Sequence, residues 1–226
     1  MKLLAINTST AVCSTALQVD ERSYVRDELQ PQQHTQVLLA QINALLEQAG
    51  LILSALDGIA LAIGPGSFTG LRIGASVVQA LSFAHNIPTI GISSLALFAQ
   101  AAFRLYSADK AIIAIDARME GIYHGLYELS DNKIMLNADD DRLLSPQHFQ
   151  LPQGQDWLGV GDAWMAYPEL MAEKYPARGV EAGILPEGQD LLPLAIARYG
   201  QHYLNQPGEI SLNYLRQEVV KKSQKQ

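Results

Sequence analysis

The chain has 226 residues, 48% hydrophobic and 17% charged, which is enough to bury a sizeable core and too apolar for a disordered segment. Its formal net charge is −7, with 5 Lys/Arg against 6 Asp/Glu in residues 1–105 and 11 against 17 in residues 106–226. Gripping nucleic acid unaided calls for a basic stripe, and the tail residues Arg216, Lys221, Lys222 and Lys225 are the only such run.

The single cysteine, Cys13, excludes an intrachain disulfide and a cysteine-rich metal site. No apolar run approaches the roughly 20 residues of a membrane span, and the opening apolar run is too short for a signal peptide. A cytoplasmic protein is expected.

In chain order, Leu3 to Ile6 predicts a strand, Asn7 to Ala11 a polar turn, and Val12 to Val19 a second strand holding Cys13 as a buried small hydrophobe. A third strand is predicted near Tyr24 to Leu29. Thr35 to Ala49 has helical periodicity, with Leu38, Ile42, Leu45 and Ala49 on one stripe, Leu39 and Leu46 beside it, and Gly50 at the C-cap. That stripe is wide enough to serve both a sheet and a partner helix, although a plain core face is commoner.

Gly58 to Asn86 organises the chain. Ile59 to Ile63 predicts a buried strand, Gly64 to Gly70 a tight loop, and Leu71 onward a helix capped by Ser67 or Thr69. Such a loop either cradles phosphate at a helix N-terminus or simply turns a strand into a helix. A Walker A loop is excluded because Gly70-Leu71-Arg72 stands where G-K-[ST] belongs. The dinucleotide fingerprint fails at Thr69, and the nucleophile elbow around Ser67 fails at Pro65 and Thr69. Gly70 and Gly74 lie on one helix face. Glycine costs about 1 kcal/mol relative to alanine in a helix, so close approach by another backbone is expected there. Arg72 opposes the helix dipole and is expected to meet an acid of this chain or of another.

Further on, Thr89 to Ile92 is a strand, followed by a helix to about Leu105 capped by Ser93 or Ser94. Lys110 to Asp116 and Gly121 to Leu129 predict strands opening a second lobe. Asp139-Asp140-Asp141 is expected in a solvated loop, Trp157 to Val160 in a strand, and Ala163 to Glu173 and Gln189 to Tyr203 in helices. Glu209 to Arg216 is expected to return to the first lobe. The domains expected are 1–105 plus 206–226, and 106–205.

G-P-G-S-F-T-G-L-R-I-G resembles the signature of the TsaB (YeaZ) family, subunits of the bacterial tRNA threonylcarbamoyladenosine machinery. Leu3 to Thr10, Ala114 to Met119 and Tyr214-Leu215-Arg216 also resemble family motifs. The resemblance implies an α/β fold of the two-lobed actin-like/sugar-kinase ATPase type, with mixed sheets flanked by helices. It implies a non-catalytic subunit that pairs with TsaD, with TsaE in the larger assembly and tRNA contacted mainly through partners. A homodimer is possible when the chain is alone. No cofactor is expected: Asn7 stands where the superfamily usually has a metal-binding acid. Ser94 and Phe98 stand where the sister TsaD family has two metal-ligand histidines. An active ATPase or kinase and a peptidase are the alternatives. The partner interface is expected to involve Leu38, Gln41, Ile42, Leu45, Gly70, Arg72, Gly74 and Val78.

Overall fold

A first strand that is apolar on both faces sets the layering. In the computed structural model, which describes residues 1–29, 34–149, 152, 156–172 and 179–216, β1 (Lys2–Asn7) sends Leu4 and Ile6 to one face. Leu3 and Ala5 go to the other. β1 pairs antiparallel with β2 (Val12–Val19), and β2 with β3 (Arg22–Leu29). On its other side β1 runs parallel to β4 (Gly58–Ala62), which runs parallel to β5 (Thr89–Ile92), giving the order β3-β2-β1-β4-β5. Parallel neighbours need crossovers. α1 (His34–Ala49) precedes β4, and α2 (Phe68–His85) joins β4 to β5. Both helices cover the Leu4/Ile6 face through Leu38, Ile42, Leu45, Ala75 and Val78.

The second lobe repeats this plan. β6 (Lys110–Asp116), β7 (Ile122–Leu129) and β8 (Met135–Leu144) form an antiparallel meander, and β9 (Leu158–Val160) and β10 (Gly179–Glu181) add parallel strands. The order β10-β9-β6-β7-β8 mirrors the first sheet. α3 (Ser94–Tyr106) lies between the sheets: Leu97 packs on the first, Leu95, Phe98 and Ala102 on the second.

Four elements depart from the sequence expectation. The helix expected over Ala163–Glu173 is two short helices, α4 (Ala163–Ala166) and α5 (Pro168–Ala172), because Pro168 cannot continue the first; Glu173 lies outside the described residues. Asp139, Asp140 and Asp141 lie in β8 rather than a loop. Their charges suit an edge strand, where they discourage pairing with other chains, and Asp141 turns inward to accept from Tyr127 Oη at 2.7 Å. β10 is an added strand. α6 (Gly188–Gly200), inside the range expected for the second lobe, packs Leu191, Leu192 and Ala195 on the first sheet. A bidentate pair, Arg104 Nε to Asp190 Oδ1 at 2.6 Å and Nη2 to Oδ2 at 3.0 Å, ties α6 to α3.

The segment after α6 returns to the first lobe as expected. Asn205 bridges to Thr89 on the outer edge of β5, and Asn213 N donates to Ile63 O at 2.8 Å. Lys221, Lys222 and Lys225 lie outside the described residues. No helix among the described residues is long and apolar enough to cross a membrane.

Candidate partner interface and the cleft beside it

The glycine loop is filled by the chain itself. Gly64 adopts φ +106, and Ser67 caps α2 by accepting from Gly70 N at 3.2 Å. Ser67 N, which would face a phosphate in an anion loop, donates instead to Ser9 O at 2.8 Å. A Cβ added at Gly66 would run into Ser9 O, and one at Gly70 into Thr8 O. Thr8 Oγ1 then donates to Gly70 O at 2.8 Å. These glycines therefore let the turn between β1 and β2 lie against the start of α2, which is the strand-to-helix reading of the loop.

Asn7 is fully buried, with both ends of its amide engaged by this chain. Its Nδ2 donates to Pro186 O at 2.8 Å, and its Oδ1 accepts from Ser9 N at 3.0 Å and Ser9 Oγ at 2.7 Å. Ser94 is also buried. Its Oγ accepts from Gly64 N at 3.1 Å, and its N donates to Gly64 O at 2.9 Å, so it braces the loop from the second side. Phe98 lies on the floor of a cleft of about 530 Å³ between the lobes. Ser9, Thr10, Gly66 and Ser67 line one wall of that cleft, and Asp116, Arg118, Tyr123 and Asp162 the other.

A nucleoside triphosphate with its metal is what the actin-like fold implies. The residues present do not fit one: Asn7 has no charge and no spare acceptor pointing outward, and the Ser67 amide is taken. On the far wall the Asp116 carboxylate is spent on Arg118, paired with its Nη1 at 3.0 Å and accepting from its N at 2.9 Å, and Asp162 Oδ1 accepts from Asp116 N at 2.7 Å. Among the described residues no three of His, Cys, Asp and Glu converge as metal ligands.

The expected interface residues divide sharply. Leu38, Ile42, Leu45 and Val78 are buried in the first lobe's own core. Gln41 is buried too, donating to Cys13 O and accepting from Thr15 Oγ1, each at 3.1 Å. Gly70 and Gly74 face inward; a Cβ on Gly74 would strike Thr8 Oγ1 and Leu61 Cδ1. The close backbone approach expected at these glycines is real, but their neighbour is this chain's own β1–β2 turn and β4. These seven residues are corrected to core. An apolar stripe packed fully on a sheet leaves no side chain for a second partner.

Arg72 alone of the eight is exposed. Its guanidinium lies over the Phe68 ring, 3.8 Å from the centroid, and its Nε donates to Tyr214 Oη at 3.4 Å. The acid expected beside it is absent: among the described residues Arg72 has aromatic neighbours and no ion pair. Apart from Arg72, the outward faces carry residues that the sequence did not assign to the interface. Leu39, Ala40, Asn43 and Glu47 line α1; Thr69, Arg72, Ser76 and Ala80 line α2, with Phe83 78% exposed near its end. A groove of about 420 Å³ runs along Phe68, Arg72, Ile73, Ser76 and Val77. The signal was in the sequence as the complement of the apolar stripe, with Ser76 and Ala80 small enough for close helix approach.

Similarity to known proteins follows this geometry. Residues 25–210 match the family model described as TsaD, tRNA N6-adenosine threonylcarbamoyltransferase. The tRNA threonylcarbamoyladenosine biosynthesis protein TsaB of Escherichia coli is 35% identical, over 89% of this chain and 88% of its own length. TsaB of Haemophilus influenzae is 34% identical over 97% and 95%. The chain belongs to the TsaB family. A solved structure of YeaZ from Pseudomonas aeruginosa, 39% identical, superimposes with a TM-score of 0.89 over 95% of this chain and 99% of that one.

Proposed function

We propose that this chain serves tRNA threonylcarbamoyladenosine biosynthesis as a binding subunit that pairs with a TsaD protein through the outward faces of α1 and α2. The observation that carries the reading is the end-to-end similarity to proteins named for that pathway. Membership of the TsaB family supports the pathway. Arg72, which has no ion pair among the described residues, the groove beside it and the small residues Ser76 and Ala80 support the face. A partner helix bringing a carboxylate to Arg72 would complete an ion pair whose cation already sits at the wrong end of a dipole.

The chain holds no transferase site of its own in this reading. Ser94 and Phe98 support it: one hydroxyl is spent on Gly64, and the other side chain is an apolar cleft floor. TsaD performs the transfer, TsaE joins the larger assembly, and tRNA is met mainly through these partners, which agrees with a net charge of −7. All act in the cytoplasm, and the same face lets two copies of this chain pair when TsaD is absent. The proposal divides the chain into a partner-bearing first lobe, residues 1–105 with α6 and the return segment from 206, and a smaller second lobe.

Mass spectrometry of tRNA nucleosides from cells depleted of this protein tests the pathway. Loss of threonylcarbamoyladenosine is expected, and an unchanged level would refute the reading. Titration of ATP with Mg²⁺ into the purified chain tests the rival ATPase reading, for which no saturable heat is expected.

A further inference from the structure

The turn between β6 and β7 places three consecutive non-glycine residues in the left-handed region: Arg118 at φ 59, Met119 at 46 and Glu120 at 53. Each such residue is disfavoured, so a run of three persists only where its surroundings hold it. Within the turn, Ala117 N donates to Gly121 O at 2.9 Å and Gly121 N to Arg118 O at 3.0 Å. The outer support comes from a distant part of the chain. Arg216 Nη2 donates to Ala117 O at 3.3 Å and to Arg118 O at 3.0 Å. Gly121 leaves room for it: a Cβ there would collide with the same Nη2.

The same short segment holds the opposite wall of the cleft. Asn213 N donates to Ile63 O, and the Asn213 carbonyl lies against Gly64. Tyr214 contacts the Phe68 ring, 6.3 Å between centroids, and accepts from Arg72. Phe68 and Gly66 line the first-lobe wall of the cleft, and Ala117 and Arg118 line the second-lobe wall. Four residues, 213 to 216, therefore join residues of the first-lobe wall to the turn of the second-lobe wall.

We propose that residues 213–216 are a strap that sets the width of the inter-lobe cleft, with Arg216 as the latch that holds the left-handed turn. Tyr214 links the latch to Arg72.

Two measurements test this. Hydrogen exchange on Arg216→Ala is expected to accelerate the amides of Ala117 and Gly121 roughly ten- to a hundredfold, the effect of losing a charge-assisted hydrogen-bond pair. The amides of β1 should keep their protection. Arg216→Lys, which keeps the charge but not the fork, should give a partial acceleration, and it stands in if the alanine variant does not fold. Spin labels at Ala11→Cys, exposed on the first-lobe wall, and at Met165→Cys, exposed on α4 of the second lobe, report the cleft width. Buried Cys13, whose thiol burial pushes up to about 12, stays unlabelled. A broader or longer distance distribution in the Arg216 variants is expected. Unchanged exchange at the turn overturns the latch, and an unchanged distribution overturns control of the cleft.

Discussion

The two sides of α2 carry opposite kinds of information. Inward, Gly70, Gly74 and Val78 meet Thr8, Leu61 and the core, so tightly that one added carbon has nowhere to go. Outward, Thr69, Arg72, Ser76 and Ala80 are exposed, and Arg72 leans on aromatic rings instead of an acid. Only the inward side is needed to fold the lobe. A glycine motif announces that something comes close; what comes close is decided by which face of the helix the sheet takes. Here the sheet takes the glycines, and the outer face stays exposed.

The comparison breaks most visibly at the glycines. Gly74→Gln should cost about 3 kcal/mol or more by overpacking against Thr8 and Leu61, lowering the melting temperature by roughly 10 °C or leaving the protein insoluble. Circular dichroism melts check it, and a wild-type melting curve would move Gly74 to the surface. Ser94→Ala strands the buried Gly64 amide at a cost of about 1–3 kcal/mol. A fall of roughly 3–10 °C is the outcome to look for in the same melts. Arg72→Ala sharpens the other side. Its cation–π contact and long hydrogen bond are worth about 0.5–1 kcal/mol at an exposed site, so a fall of at most roughly 4 °C is expected, with the main loss in TsaD binding.

The smallest effect is one of pH. Burial pushes the Asp141 carboxyl up, against the hydrogen bonds it accepts from Ser93, Tyr127 and Asn137. A folded value above the unfolded one means the group's stabilisation is fully present below about pH 4 and is lost as pH rises through the folded value. Asp141→Asn should therefore gain on the wild type in melting temperature between about pH 4 and about pH 7. A constant difference between the two proteins would show that Asp141 titrates as an ordinary surface acid.

Much of the fold was legible because the physics is local. Continuous apolar runs such as Leu3 to Ile6 and the core of Lys110 to Asp116 gave their strands, and the 3.6-residue stripe of Leu38, Ile42 and Leu45 gave α1. β8 was missed because an exposed edge strand has no reason to be apolar, and the aspartates at 139 to 141 satisfy it as well as a loop. The helix break at Pro168 was readable from proline chemistry and overridden by the periodicity around it. The site was less legible. Glycine spacing in G-P-G-S-F-T-G revealed close packing, but the β1–β2 turn that fills the loop lies about sixty residues earlier, and nothing local points to it. Arg72 was singled out correctly as unusual; its aromatic partners come from the preceding turn of α2 and from Tyr214, a pairing only the return segment creates.

The most direct measurement is the affinity of an Ala80→Arg variant for purified TsaD, read by titration calorimetry beside its melting curve. Ala80 is exposed on the outward face of α2, so the variant should melt within about 2 °C of wild type, as surface substitutions do. A bulky cation placed in an interface of roughly 1,600 Å² should weaken TsaD binding about a hundredfold or more. A folded variant that binds TsaD at wild-type strength would contradict the account and remove the outer face of α2 from the interface.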